Sequence, residues 1–127
     1  MDVTMKTTVR TYAVNKIRAM HILAIEKFPT GPTGSRDAPG NILDGIKLEK
    51  TFQDLRFRVD FDRSGQFTVA EAEARIQNFI DGMDSGVDMA GICILTHGSY
   101  DHTGQTIEFS DGFTRSLGLG QIINYYT

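Results

Sequence analysis

Cysteine is almost absent from this chain: Cys93 is the only one in 127 residues. One thiol excludes a disulfide framework and a cysteine-based metal cluster, and makes a reducing, cytoplasmic compartment the expectation. Basic runs are absent as well. With a formal net charge of −3, the chain has no natural surface for nucleic acid or for an anionic membrane. Long apolar runs are missing, so no segment is of a length to span a bilayer. The start, Met1-Asp2-Val3-Thr4-Met5-Lys6, lacks the apolar core of a signal peptide. Proline is scarce, and all three prolines fall between Pro29 and Gly40, which marks that stretch as a loop. No serine stands in a Gly-x-Ser-x-Gly setting, so a serine nucleophile has no support.

What remains is an ordinary globular composition, 40% apolar and 23% charged, with enough chain for one core. His21-Ile22-Leu23-Ala24-Ile25 and Ala90-Gly91-Ile92-Cys93-Ile94-Leu95 have the length and composition of fully buried strands. Phe57, Val59 and Phe61 alternate with Arg58, Asp60 and Asp62, the period of a half-covered strand. Leu48, Phe52 and Leu55 give a helical spacing over Asp44 to Leu55. Thr68-Val69-Ala70-Glu71 has the form of a capping box. Val69, Ala72, Ile76, Phe79 and Met83 continue from it as one apolar stripe, ended by Gly82 to Gly86. Ser99 to Gln105 reads as a loop, Thr106 to Phe109 with Asp111-Gly112 as a short strand and turn, and Leu119 to Tyr126 as a last helix. Strands alternating with helices predict a mostly parallel sheet flanked by helices, an α/β fold.

Two patterns carry chemistry. From Asp60 to Glu71 the spacing fits a calcium-binding EF-hand loop: Asp60 and Asp62 at the first and third places, then Ser64, Gly65 and Glu71. An EF-hand needs a helix entering the loop, whereas the residues before this one alternate like a strand. The other reading is a polar strand-to-helix turn in which Glu71 caps the helix. The second pattern is Leu95-Thr96-His97-Gly98. A His-Gly pair just past a buried strand lies where open α/β sheets place their chemistry. Histidine moves protons near neutral pH. Glycine lets a backbone N–H approach a reacting oxygen closely. The plainer alternative is an exposed histidine on a strand-end loop. Asp101 and His102 stand near His97 in sequence, but two histidines and one carboxylate on a turn make a poor metal set, and no metal is expected.

From Tyr12 to Tyr126 the chain resembles the large-subunit region of the caspases, the animal cysteine endopeptidases that cut after aspartate. Tyr12-Ala13-Val14-Asn15 and Ile22 to Phe28 resemble the family's tyrosine-led segment and first strand. Ser35-Arg36 resembles the arginine of its first loop. Asp44, Leu48, Thr51 and Phe52 are similar to its first helix, Leu55 to Val59 to its second strand, and Thr68 to Glu71 to the start of its second helix. Ile92 to Gly98 resembles the third strand with the catalytic histidine, and Ile122-Ile123-Asn124-Tyr125-Tyr126 the helix after the hairpin.

This resemblance implies a partial three-layer caspase-like domain over 12–127, preceded by a short tail over 1–11. It implies His97 as general base and acid, Gly98 as an N–H donor to the oxyanion, and Arg36 as the receiver of a substrate aspartate. A guanidinium fork suits that last role. It further implies Asp-directed proteolysis of the apoptosis-signalling type, without a cofactor. On composition alone Arg36 is a solvated loop arginine, and Cys93 matches a core position with no catalytic role.

The chain departs from the family in one large respect. The nucleophilic cysteine of the family follows a fourth strand, which is expected beyond Thr127. Cys93 is no substitute: four residues along a strand separate it from His97 by roughly 13 Å, and a working pair needs about 3 Å. Ala38 stands where the family usually has glycine, and the loop after His97 is slightly long. Three functions stay open at this point. The chain is a caspase-like large-subunit segment, inactive alone and completed by a caspase-like partner chain or C-terminal portion. Or it is a catalytically dead decoy that binds an active caspase. Or it is an EF-hand-like calcium module.

Overall fold

A computed structural model of the chain describes residues 17–101 and 104–116. The expected helix at Leu119 to Tyr126, the segment Tyr12 to Asn15, the tail over 1–11 and His102 lie outside those residues. The first sheet has three parallel strands: β1 (Ile17–Ile25), β2 (Phe57–Gly65) and β3 (Val87–Leu95), in the order β2-β1-β3. Helix α1 (Asn41–Asp54) joins β1 to β2, and α2 (Val69–Asp81) joins β2 to β3. The α/β fold and the parallel sheet are as the alternating pattern predicts.

β1 is central, and its residues from Ala19 to Ile25 are all buried. Side chains alternate across a strand, so this run needs cover on both faces. Leu23 and Ile25 join Phe67, Val69, Ala72 and Ile76 in the core on the α2 face. Full burial of each large aliphatic there contributes roughly 1.5–3 kcal/mol. The opposite face carries Met20 and Ile22, with Ile22 in register beside Phe61. A Cβ added at Gly45 of α1 would stand 2.4 Å from the Phe61 ring. Only a residue without a side chain lets α1 lie that close to the sheet. Two helices thus cover two faces of one sheet.

The helices begin for different reasons. At α2 the capping box forms: the Glu71 N–H donates to Thr68 Oγ1 at 3.1 Å, and the Thr68 N–H donates to Glu71 Oε1 at 2.9 Å. α1 starts at Asn41, earlier than its apolar spacing indicates. Its cap comes from elsewhere in the chain, because the Ile42 N–H donates to Glu26 Oε2 at 2.9 Å. The Asn41 side-chain amide donates to the Ile25 carbonyl at 2.8 Å and ties the helix to the end of β1. At the far end Arg56 takes a left-handed conformation, φ 68°, and turns the chain out of the helix into β2.

The stretch read as a loop from Ser99 to Gln105 is instead most of a hairpin. β4 (Gly98–Asp101) pairs antiparallel with β5 (Gly104–Glu108), and β6 (Thr114–Ser116) adds on the far side of β5. Gly-Ser-Tyr-Asp has no strand pattern of its own, and the ladder with β5 organises it. This small sheet is anchored to the chain entering α2. The Phe67 N–H donates to Ser110 Oγ, the Ser110 N–H donates to the Phe67 carbonyl, and the Val69 N–H donates to Asp111 Oδ2.

The Asp60 to Glu71 spacing builds no helix–loop–helix. Strand β2 runs through it to Gly65, and its carboxylates have separate partners. Asp60 pairs with His21 Nδ1 at 3.0 Å, Asp62 pairs with Arg75, and Glu71 closes the capping box. His21 is itself buried, stacked on Phe79, and its Nε2 has no hydrogen-bond partner among the described residues.

Candidate active site

The strands of the parallel sheet all point the same way, and the loops leaving β1 and β3 therefore meet at one end. Arg36 lies on the loop after β1, and His97 is the second residue after β3. Although 61 positions apart, they touch: His97 Nε2 is 2.5 Å from the Arg36 carbonyl oxygen. A carbonyl only accepts, so Nε2 carries the proton and Nδ1 holds the lone pair of the neutral ring. The histidine is thereby fixed in one tautomer, with a base at Nδ1.

The loop that presents Arg36 is pinned at several points. Gly31 and Gly34 exchange backbone hydrogen bonds at 2.8 and 3.1 Å, and Gly34 adopts φ 122°, which suits glycine alone. The aliphatic stem of Arg36 passes over Gly31, where a Cβ would meet Arg36 Cδ at 2.7 Å. The Asp37 carboxylate accepts from the Phe28 N–H at 3.1 Å and pairs with Lys27. The Phe28 N–H above all, then Lys27, holds the Asp37 carboxyl below the usual carboxylate range. The Ala38 N–H donates to the Glu26 carbonyl at 2.8 Å.

His97 rests on a wall. The Phe28 ring lies 4.1 Å from its ring, centroid to centroid, tilted by 38°. Phe28 is buried and belongs to the α2-side core, so core packing sets the imidazole plane. Gly98 opens β4 opposite Ile107. Its neighbour pair is hydrogen-bonded, with the Glu108 N–H donating to the His97 carbonyl at 2.9 Å. Bonded and non-bonded pairs alternate in an antiparallel ladder, so the Gly98 N–H points away from β5, beside His97.

Two residues of this neighbourhood escape sequence reasoning: Phe28 as the support of His97, and Glu108. The Glu108 carboxylate takes both ends of the Arg36 guanidinium, Nη1 to Oε2 at 2.8 Å and Nη2 to Oε1 at 2.5 Å. Hydrogen bonding from Arg36 holds the Glu108 carboxyl below its ordinary range, and the Glu108 partnership raises that of Arg36. The one available signal is alternation. Ile107 and Phe109 are buried on one face, which turns Glu108 to the other.

Cys93 sits on β3 with its Sγ 3.9 Å from Met20 Sδ, and burial pushes its thiol above the ordinary value. A raised thiol holds little thiolate and is a poor nucleophile. Among the described residues no three His, Cys, Asp or Glu side chains cluster to hold a metal ion, and no helix is long and apolar enough to cross a membrane.

A three-stranded parallel sheet with helices on both faces is an α/β architecture of partial caspase-like form. Comparison with solved structures agrees on the fold. The chain is similar to the Drosophila initiator caspase Dronc, with a TM-score of 0.69 at 18% identity, over 87% of this chain. It spans 41% of that protein's chain. No family model matches the sequence, and no curated protein does.

Proposed function

We propose that the chain is the histidine- and arginine-bearing part of a caspase-like cysteine endopeptidase site. His97 takes and returns a proton through Nδ1. Gly98 offers its N–H to the oxyanion of the tetrahedral intermediate. Arg36 receives the acidic side chain on which cleavage depends. The observation that supports this reading most is the contact of His97 Nε2 with the Arg36 carbonyl. It couples the proposed base to the proposed binding loop and selects the useful tautomer. Preorganised donors and a correctly oriented base are what acyl transfer by a thiol requires.

The thiol itself comes from a partner segment in this reading. The sole cysteine, Cys93, is engaged with Met20 and has a raised pKa. The partner is a caspase-like chain or a C-terminal portion placed beside β3, one of the two edge strands of the described sheet. The substrate is a peptide with an acidic residue, and the compartment is the reducing cytoplasm, which suits an unpaired thiol. A decoy that occupies such a partner is the second reading; the engagement of Cys93 with Met20 is compatible with it.

A chimaera tests this. The remainder of the Drosophila neighbour's chain is joined after Thr127 and offered a mixed peptide library. Thiol-dependent cleavage that His97→Ala abolishes and Cys93→Ala leaves intact is expected. Cleavage that survives His97→Ala refutes the assignment of the base.

A further inference from the structure

We propose that Glu108 is a resident competitor that closes the Arg36 carboxylate site, so that Glu108, and not Arg36 alone, sets which side chains the site accepts. This rests on the reading of Arg36 as a carboxylate receiver. The geometry is that of a bound ligand. Both terminal nitrogens of the fork meet both oxygens of one carboxylate, at 2.8 and 2.5 Å. No other ion pair among the described residues has two hydrogen bonds: Lys27–Asp37, Lys50–Asp54, Arg63–Glu49, Arg75–Asp62 and Arg115–Glu73 each make one.

The competitor is held rigidly. The Glu108 N–H donates to the His97 carbonyl at 2.9 Å, and its own carbonyl accepts from Thr96 Oγ1 at 2.5 Å. Its side chain is only 13% exposed, against 38% for Arg36. The carboxylate is therefore delivered by a strand fixed on both sides, with little ordering cost left to pay on contact with Arg36. An incoming carboxylate meets a guanidinium whose charge is already neutralised and whose fork is already filled. It must displace a tethered anion or bind beside one, and like charges at that distance repel. A neutral hydrogen-bonding side chain faces no such penalty. The closed site withholds from acidic residues the preference that a free Arg36 would give them, until Glu108 is moved or removed.

Two peptides differing in a single group read this out: acetyl-Ala-Ala-Ala-Asp-amide, with one carboxylate, and its Asn counterpart, with none. Affinities come from amide chemical-shift titrations of the wild-type chain, Glu108→Gln, Glu108→Ala, Arg36→Gln and the double variant Glu108→Gln/Arg36→Gln. The wild-type chain is expected to bind the two peptides within about twofold of each other. Each Glu108 variant is expected to bind the Asp peptide at least tenfold tighter than the Asn peptide, and the double variant to lose that preference. A wild-type chain that already prefers Asp tenfold, with Arg36→Gln abolishing the preference and Glu108→Gln adding nothing, overturns the competitor role and leaves Arg36 as a receiver. No Asp preference in any variant removes the receiver role, and the competitor role with it. Loss of the dispersed β1–β3 amide signals in both Glu108 variants makes the pair a structural strut and also overturns the proposal.

Discussion

Phe28 joins the core to the proposed base, so its removal has two separable consequences. The ring is 7% exposed, packs with the cluster around Leu23, Phe67 and Ile107, and lies 4.1 Å from the His97 ring. Buried Phe→Ala substitutions cost about 3–5 kcal/mol, the spread reflecting how far the site collapses. Phe28 lies on a loop past the end of β1, which yields more readily than a strand interior, so we expect Phe28→Ala near the lower end, about 3 kcal/mol. That is roughly two powers of ten in the folding equilibrium, out of a total of about 5–15 kcal/mol for a typical protein. Phe28→Leu keeps most of the volume, which limits the packing loss to below about 1.5 kcal/mol. It also removes the ring–ring contact, about 0.5–1.5 kcal/mol. Urea unfolding followed by far-ultraviolet circular dichroism gives both numbers, provided the m-value is unchanged. The second consequence is local: the His97 ring protons lose the ring-current shift of a neighbouring aromatic in both variants. Phe28→Ala costing under about 1 kcal/mol at constant m, with His97 shifts unmoved, refutes the claim that core packing sets the imidazole plane.

Two further outcomes follow from other contacts. Gly45→Ala gains about 1 kcal/mol of helix propensity but drives a methyl to 2.4 Å from the Phe61 ring, and overpacking costs typically about 1–3 kcal/mol. Net destabilisation is expected, turning to net stabilisation when Gly45→Ala is made in a Phe61→Leu background; urea midpoints of the four proteins in the cycle decide it. The Glu108 carboxyl is held below its unfolded value by Arg36, so the pair stabilises the folded chain above the pKa of an unfolded glutamate, about 4.3. That contribution is lost as pH falls through the lower folded value. The gap in urea midpoint between the wild-type chain and Glu108→Gln is expected at pH 7 and gone in strong acid, and a gap independent of pH contradicts the ion pair.

The elements that depend on local pattern are legible in the sequence, and those that depend on distant partners are not. The apolar run of β1, the alternation of Phe57, Val59 and Phe61, and the Thr68–Glu71 box each carry their cause within a few residues. The start of α1 is not legible, because Glu26, 16 positions away, caps it. β4 exists only in its ladder with β5, so Gly98 to Asp101 shows no strand period of its own. The carboxylate spacing from Asp60 to Glu71 fits a calcium loop, but long-range pairs with His21 and Arg75 engage Asp60 and Asp62. At the candidate site, Arg36 and His97 stand out through the caspase resemblance. Glu108 does not, because a charged residue in a short hairpin strand gives no hint that a loop 72 positions earlier brings an arginine onto it.

The proposed proton transfer depends on the lone pair at His97 Nδ1. A long-range nitrogen–proton correlation spectrum of the nitrogen-15-labelled chain, at a pH where the ring is neutral, reads the tautomer directly. A single Nε2–H tautomer is predicted, held by the Arg36 carbonyl at 2.5 Å, with its nitrogen shifts moving when the Arg36 loop is disturbed by Gly31→Val. A ring protonated at Nδ1, or one exchanging between tautomers as a solvated histidine does, contradicts it.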